Sequence, residues 1–485
     1  LLLSCYELGH QPLALAAPLR ALEGAGFSPD ALDLSVEELS TDKVKRASFA
    51  AISVPMHTAL RLGVRAAERV REINPECRLL FYGLYAALNA PYLRERFSAF
   101  VIGPEWEAPL VALLEALASG NAETQERRVG EWESGRVGAS KGQSAKGKAQ
   151  RASPNTRTPE HPDAQHPTPN TQHLHVLPPL ERYARLERNG RLELAGYVEA
   201  TRGCKHRCLH CPIPSVYDGR FVVVPRETVL EDVRRMVRLG AAHVTFGDPD
   251  FLNGPGHSLR IVRQMRVEFP HLTFDVTAKV EHLLKHRSLL PELAALGCVF
   301  IVSAVESLSD RVLRNLEKGH TRADVGEALA LTRAAGIALR PSLMPFTPWS
   351  TLEDYRDLLR WVAEEDLVGC VDPVQLSIRL LVPPGSLLLQ SPAMQPYLGE
   401  LQEAAFSYRW AHPDPRVDRL HQDVSRAVEE AARADEEPRT TFARLWELAK
   451  EEGGRRKDES YNPFILHSSS FILPKPPRLT ESWFC

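Results

Sequence analysis

Cys204, Cys208 and Cys211 fall within eight residues, in the stretch Thr-Arg-Gly-Cys-Lys-His-Arg-Cys-Leu-His-Cys-Pro. Three thiols so close in sequence call for a loop that turns them inward together from a firm support. Cysteine thiolates are the usual ligands of iron–sulfur clusters, and a C-x3-C-x2-C triplet supplies three of them. Such a triplet holds three irons of a [4Fe-4S] cube and leaves the fourth iron open to a small molecule. Zinc is the alternative, since His206 or His210 would complete a Cys3His set. The paired spacing of familiar zinc sites is missing, because no second C-x2-C occurs in the chain. A disulfide reading fails because three clustered thiols leave one unpaired. The other cysteines (Cys5, Cys77, Cys298, Cys370 and Cys485) have no framework spacing, as expected in a reducing cytoplasm.

A length of 485 residues suggests two or more domains. A net charge of -3 gives no reason to expect nucleic acid or an acidic membrane as partner. The apolar start, Leu1 to Leu3, is too short for a signal peptide. No apolar run approaches the roughly 18 residues of a membrane span. The chain lacks an initiator Met, so its start is expected upstream or at an alternative codon. Residues 119–173 turn polar and repetitive, rich in Gly, Ala, Ser and Lys from Gly138 to Arg151, and read as a disordered linker.

Residues 1–118 alternate short apolar runs with helical spacing. Strands are expected at Leu1–Tyr6, Ala31–Leu34, Phe49–Val54, Arg78–Tyr82 and Ala99–Ile102. Helices are expected at Leu13–Ala25, Leu60–Ile73, Ala86–Phe97 and Pro109–Ala118. This alternation predicts a parallel α/β sheet, flavodoxin-like, whose ligands lie beyond the carboxyl ends of the strands. Ser53, Gly83, Gly103 and Glu105 fall at those ends.

Residues 174–395 repeat the pattern. Gly196–Ala200 reads as a strand delivering the cysteine loop, followed by apolar runs at Val244–Phe246, Phe274–Val276, Val299–Val302, Ala338–Leu343 and Pro373–Ile378. Helical stretches intervene at Arg226–Leu239, His257–Phe269, His286–Leu296, Arg322–Ala335 and Thr351–Glu365. Residues 396 to about 457 read as helices, and the tail to Cys485 as irregular.

The cysteine motif and the strand–helix units together resemble the radical S-adenosylmethionine (radical SAM) enzymes. The resemblance implies a partial (β/α)6 barrel, a [4Fe-4S] cluster on the three cysteines and SAM chelated by the open iron. In that family an electron from the cluster cleaves SAM to methionine and a 5'-deoxyadenosyl radical. It further implies SAM contacts at Gly247 and Asp248 after the second strand, Lys279 after the third, and Ser303 and Glu306 at the end of the fourth. Arg340 reads either as a fork for the SAM carboxylate or as a buried structural salt bridge, and Tyr217 would pack near cluster and adenine. An external electron donor of flavodoxin or ferredoxin type would be the partner.

Placed before that core, the first domain is similar to the cobalamin-binding domain of B12-dependent radical SAM enzymes, and the opening Cys5-Tyr-Glu-Leu-Gly-His10-Gln-Pro12 resembles theirs. Their D-x-H-x-x-G motif is absent, since Leu8 precedes His10 by two residues; His10 reads as a loop or cap residue. The end, Pro477-Arg-Leu-Thr-Glu-Ser-Trp-Phe-Cys485, resembles that of radical SAM proteins named for a CUAEP or CCAEP tail, where U is selenocysteine. The resemblance implies a chain running past Cys485 into a Cys-Sec tail that would reach the site as a redox pair, methyl relay or selenium carrier. The expected activity is radical methylation of an unactivated carbon, with the substrate undetermined. The alternatives are methylthiolation, because Thr277-x-Lys279-x-Glu281-His282 looks like that family's third strand, and a non-catalytic iron–sulfur or zinc sensor.

Overall fold

The computed structural model describes residues 1–119, 177–452 and 475–480. Five short strands open the chain: β1 (Leu2–Ser4), β2 (Ala31–Asp33), β3 (Phe49–Ser53), β4 (Arg78–Tyr82) and β5 (Phe100–Ile102). All pair in parallel, in the order β2-β1-β3-β4-β5. Successive strand residues face opposite sides. Leu3, Ile52, Phe81 and Val101 therefore enter one core, and Leu2, Ala51, Leu80 and Tyr82 the other. Helices Leu13–Gly24 and Glu107–Ala118 contribute to the second core, and helices His57–Ile73 and Ala90–Phe97 to the first. The order reverses at β1 and β3, which puts a crevice at their carboxyl ends.

The second sheet begins with a hairpin of β6 (Arg185–Arg188) and β7 (Arg191–Val198). Asn189 and Gly190 turn it, both with positive φ, as a tight two-residue hairpin demands. A small antiparallel ribbon, β8 (Thr201–Gly203) with β9 (Phe221–Val223), brackets the cysteine loop. Next come β10 (His243–Phe246), β11 (Thr273–Thr277), β12 (Cys298–Glu306) and β13 (Ala338–Leu343). A hairpin of β14 (Leu398–Gln402) and β15 (Ser407–Trp410) and a further short strand, β16 (Arg478–Leu479), complete the set among the described residues. The large sheet runs β13-β12-β11-β10-β7-β6-β16, with β7 and β10 to β13 parallel.

Helices Arg226–Arg238, Pro255–Glu268, Arg322–Ala334 and Leu352–Glu364 cover one face of this sheet. The last two start at capping boxes. Thr321 with Asp324, and Thr351 with Asp354, exchange side-chain and backbone hydrogen bonds.

The fold class is thus α/β: a Rossmann-like five-strand sheet, then a curled half-barrel and C-terminal helices. Two expected elements do not form. Pro373–Ile378 is not a sixth strand. Pro373 opens a 3-10 turn to Leu376, and one bridge, Phe346 to Arg379, is all the pairing there. Residues 398–410 are a β-hairpin rather than helix, turned by Phe406 in the left-handed region. Helices Pro415–Arg433 and Pro438–Glu452 do follow. The linker expectation for 119–173 falls, from residue 120 onward, outside the described residues, and so does Cys485. Among the described residues no helix is long and apolar enough to cross a membrane.

Candidate active site

The cysteine loop hangs from the carboxyl end of β7. After Val198 the chain turns, and Asp248, just past β10, holds the turn: its carboxylate accepts from Ala200 N at 2.9 Å and Thr201 Oγ1 at 2.6 Å. Burial pushes this carboxyl up to about 6. Cys204 and Cys208 are buried and Cys211 half-buried. Burial raises the Cys204 thiol and pushes Cys211 up to about 12, with the neighbouring thiols of the triplet adding to it. Asn253 stitches the loop from outside, its Oδ1 3.3 Å from Lys205 N and 3.9 Å from Cys204 Sγ.

Glu306 ends β12 with a φ of 64°. Its Oε1 lies 3.2 Å from Lys318 Nζ and 3.4 Å from His210 Nε2, so it reaches the cysteine loop through His210. Burial opposes its ionisation, but Lys318 and His210 hold the carboxyl well below its usual range. Ser303, on the same strand, is fully buried and its hydroxyl has no partner. Lys279 is buried, 3.5 Å from Glu281 Oε2. A Cβ at Gly247 would collide with the Tyr197 phenol, so only glycine lets β10 exit there.

Other expected residues are already engaged. Arg340 turns to Asp372 at 3.2 Å and to the carbonyls of Gly369 and Pro477, a structural ion pair rather than an open fork for a carboxylate. Ser53 on β3 is buried opposite Tyr82 on β4, whose phenol donates to Ala14 O at 2.5 Å. Gly83 has a φ of 110° and packs against the Val54 backbone. Beside Gly103 a Cβ would meet nothing, so that strand end faces open space.

The carboxyl ends of the first sheet meet the cysteine-bearing side of the second. Tyr217 Oη donates to Glu105 Oε1 at 3.0 Å, joining two residues expected at different cofactors. Arg202, just before the loop, bridges Glu107 at 2.5 Å and Glu199 at 2.7 Å and lies over Trp106. Tyr183 Oη donates to Asp33 Oδ2 at 2.8 Å, and Gln11 Nε2 to Pro178 O at 2.8 Å. His10 is not a cap. It stacks on Tyr197 of β7 at 4.5 Å, is buried, and neither ring nitrogen has a partner. Burial lowers it to about 4.

Sequence reasoning missed Lys318, Asn253, Arg202 and Glu199 as parts of this site, and named His210 only as a possible zinc ligand. Lys318, Asn253 and Arg202 find partners from 12 to 95 residues away, and only the adjacency of His206 and His210 to the cysteines was a signal.

The donor set fits the implied groups. Three converging thiols suit an iron–sulfur cluster. The unpartnered Asn253 amide beside Cys204, and the unpartnered Ser303 hydroxyl on the strand that ends at Glu306, suit a polar ligand such as SAM. Open space at Gly103 and unpaired His10 suit a large cofactor between the sheets.

Comparison with known proteins agrees with this geometry. Residues 198–362 match the radical SAM superfamily profile. Among curated proteins, the ribosomal protein uS12 methylthiotransferase RimO of Porphyromonas gingivalis is 28% identical over 183 residues, 35% of this chain and 41% of that one. A tRNA-2-methylthio-N(6)-dimethylallyladenosine synthase of Chlorobium phaeobacteroides is 28% identical over 193 residues, 37% and 42% of the two chains. The chain thus spans about two fifths of the length of these relatives. Among solved structures, the radical SAM methyltransferase TsrM of Kitasatospora setae, with cobalamin and [4Fe-4S] cluster bound, superposes with a TM-score of 0.56 at 18% identity, over 75% of this chain and 70% of that one. The cobalamin-dependent radical SAM enzyme OxsB, with aqua-cobalamin bound, gives 0.56 at 13% identity over 87% and 65%. These two share the fold of both sheets.

Proposed function

We propose that this protein is a cobalamin-dependent radical SAM enzyme that methylates an unactivated carbon. One observation carries the reading: the ligand-binding ends of a Rossmann-like sheet close over the cysteine loop of a radical SAM half-barrel, tied by Tyr217–Glu105 and Arg202–Glu107. Cys204, Cys208 and Cys211 would hold the cluster, Ser303, Asn253 and Gly247 would line the SAM site, and Gly103 and His10 would border cobalamin. When bound, the cluster supplies the electron that cleaves SAM, and cobalamin supplies a methyl carrier.

The chain's own residues do the rest. Asp248 and Asn253 fix the loop that presents the thiols. Lys318 places a positive charge that opposes part of the rise burial imposes on the Cys211 thiol. Buried Phe246, Phe274 and Val276 exclude water beneath the site. An external flavodoxin- or ferredoxin-type donor would deliver the electron.

The test is protein purified without air from cobalamin-supplied cells, with iron and cobalt counted and SAM added under reduction. About four irons and one cobalt per chain, with release of 5'-deoxyadenosine, is the expected result. Iron with 5'-deoxyadenosine but no cobalt would leave the radical SAM reading and remove cobalamin from it. A sensor would release no 5'-deoxyadenosine.

A further inference from the structure

A second cluster of ligand atoms lies beside the cysteine loop and is used by nothing above. His206 sits between Cys204 and Cys208, Asp250 follows β10, and His282 lies on the helix Val280–Lys285 after β11. One side-chain donor atom from each of the three falls within 4.8 Å of the others. Asp250 Oδ2 is 2.7 Å from His282 Nδ1 and 3.6 Å from His206 Nε2. The Asp250–His282 contact is at ion-pair distance, yet the three atoms are not arranged as hydrogen bonds. None has a partner in hydrogen-bond geometry, although Asp250 is 0% and His282 6% exposed. Leaving three such atoms buried without a well-formed hydrogen bond is costly, unless something else sits among them.

A tetrahedral ion with bonds of about 2.0–2.1 Å would set its ligand atoms roughly 3.3 Å apart, between the two distances found. The supporting contacts also match a metal site. The other nitrogen of His206, Nδ1, lies 3.5 Å from Glu281 Oε2, where a carboxylate orients a ligating imidazole. The other oxygen of Asp250 accepts from Leu252 N at 3.0 Å, which fixes the carboxylate plane. The His206 side chain is 14% exposed, leaving an approach for water as a further ligand.

We propose that His206, Asp250 and His282 bind a single divalent transition-metal ion, separate from the cysteine cluster. Two imidazoles and one carboxylate suit zinc or ferrous iron. The ion would clasp the middle of the cysteine loop to the carboxyl ends of β10 and β11, holding its conformation while the thiols are unliganded.

The test reconstitutes the protein anaerobically with iron and sulfide, dialyses it against Zn(II), and counts metals. The same dialysis is run on C204S/C208S/C211S, which cannot hold the cluster. About one tightly held zinc per chain is expected in both. X-ray absorption at the zinc edge should show two imidazoles and oxygen, with no sulfur. His282→Ala and the isosteric Asp250→Asn should weaken zinc binding at least about tenfold. Absence of zinc from both proteins, loss of zinc only in the triple-serine protein, sulfur in the zinc shell, or undiminished binding in both triad variants would each overturn the proposal. The first two proteins decide the matter even if the triad variants fail to fold.

Discussion

Lys318 and Glu306 form a buried ion pair next to the thiols, and removing one side should show its strength. Lys318→Met leaves the Glu306 carboxylate with His210 alone, 3.4 Å away. Breaking such a pair from one side destabilises by about 3–5 kcal/mol. Urea unfolding of the apoprotein should show a loss of this order, and the double variant K318M/E306Q should recover part of it. Glu7 predicts a pH dependence. Burial pushes its carboxyl up to about 8, whereas an unfolded carboxyl titrates near ~4.3. Between these values the folded protein binds the extra proton, so stability is full below the lower one and is lost as pH rises toward the upper. The melting temperature of the apoprotein should therefore fall from pH 5 to pH 8, and fall less in Glu7→Gln. Glu199, pushed by burial up to about 7, leaves part of the slope in place. Residues at this scale were only partly legible in the sequence. The thiol triplet announces itself by spacing, but Lys318 is twelve residues from Glu306 and has no spacing signature.

At the scale of elements, alternation and capping made most of the fold readable. The five strands of the first sheet were all found within a few residues, because each is an apolar run between turn residues. The short helices Thr41–Arg46 and Leu84–Leu88 were missed or merged, being too brief to show a helical period. Pro373–Ile378 misled because Val374, Leu376 and Ile378 alternate like a strand, whereas Pro373 and the pairing of Asp372 with Arg340 bend the backbone into a turn. The element with the clearest consequence is the turn from β7 into β8. Asp248 is the shared acceptor there, so Asp248→Ala strands two buried donors at about 1–3 kcal/mol. The expected result is a cysteine loop that takes up less iron on anaerobic reconstitution, read from iron per chain at equal protein.

For the molecule as a whole, the joint between the two sheets decides whether a site exists at all. Arg202 is its central side chain, touching Glu107 from the first sheet's side and Glu199 from the second. Arg202→Ala leaves both carboxylates half-buried without their cation. The sheets should then loosen, seen as two unfolding transitions where the wild type shows one, and as faster limited proteolysis. No sequence pattern named these partners. The joint is made of pairs such as Arg20 and Asp232, 212 residues apart, which only the folded chain brings to 2.5 Å.

β16 has a consequence in time. Arg478 meets Glu187 across 291 residues of chain. At about 5–20 residues per second of synthesis, the outer edge of β6 stays open for roughly 15–60 s before its partner strand leaves the ribosome. An open edge invites pairing with other nascent chains, and Arg185, Glu187 and Arg188 along β6 put alternating charge where such a stranger would dock. β16 joins an edge already guarded until it comes.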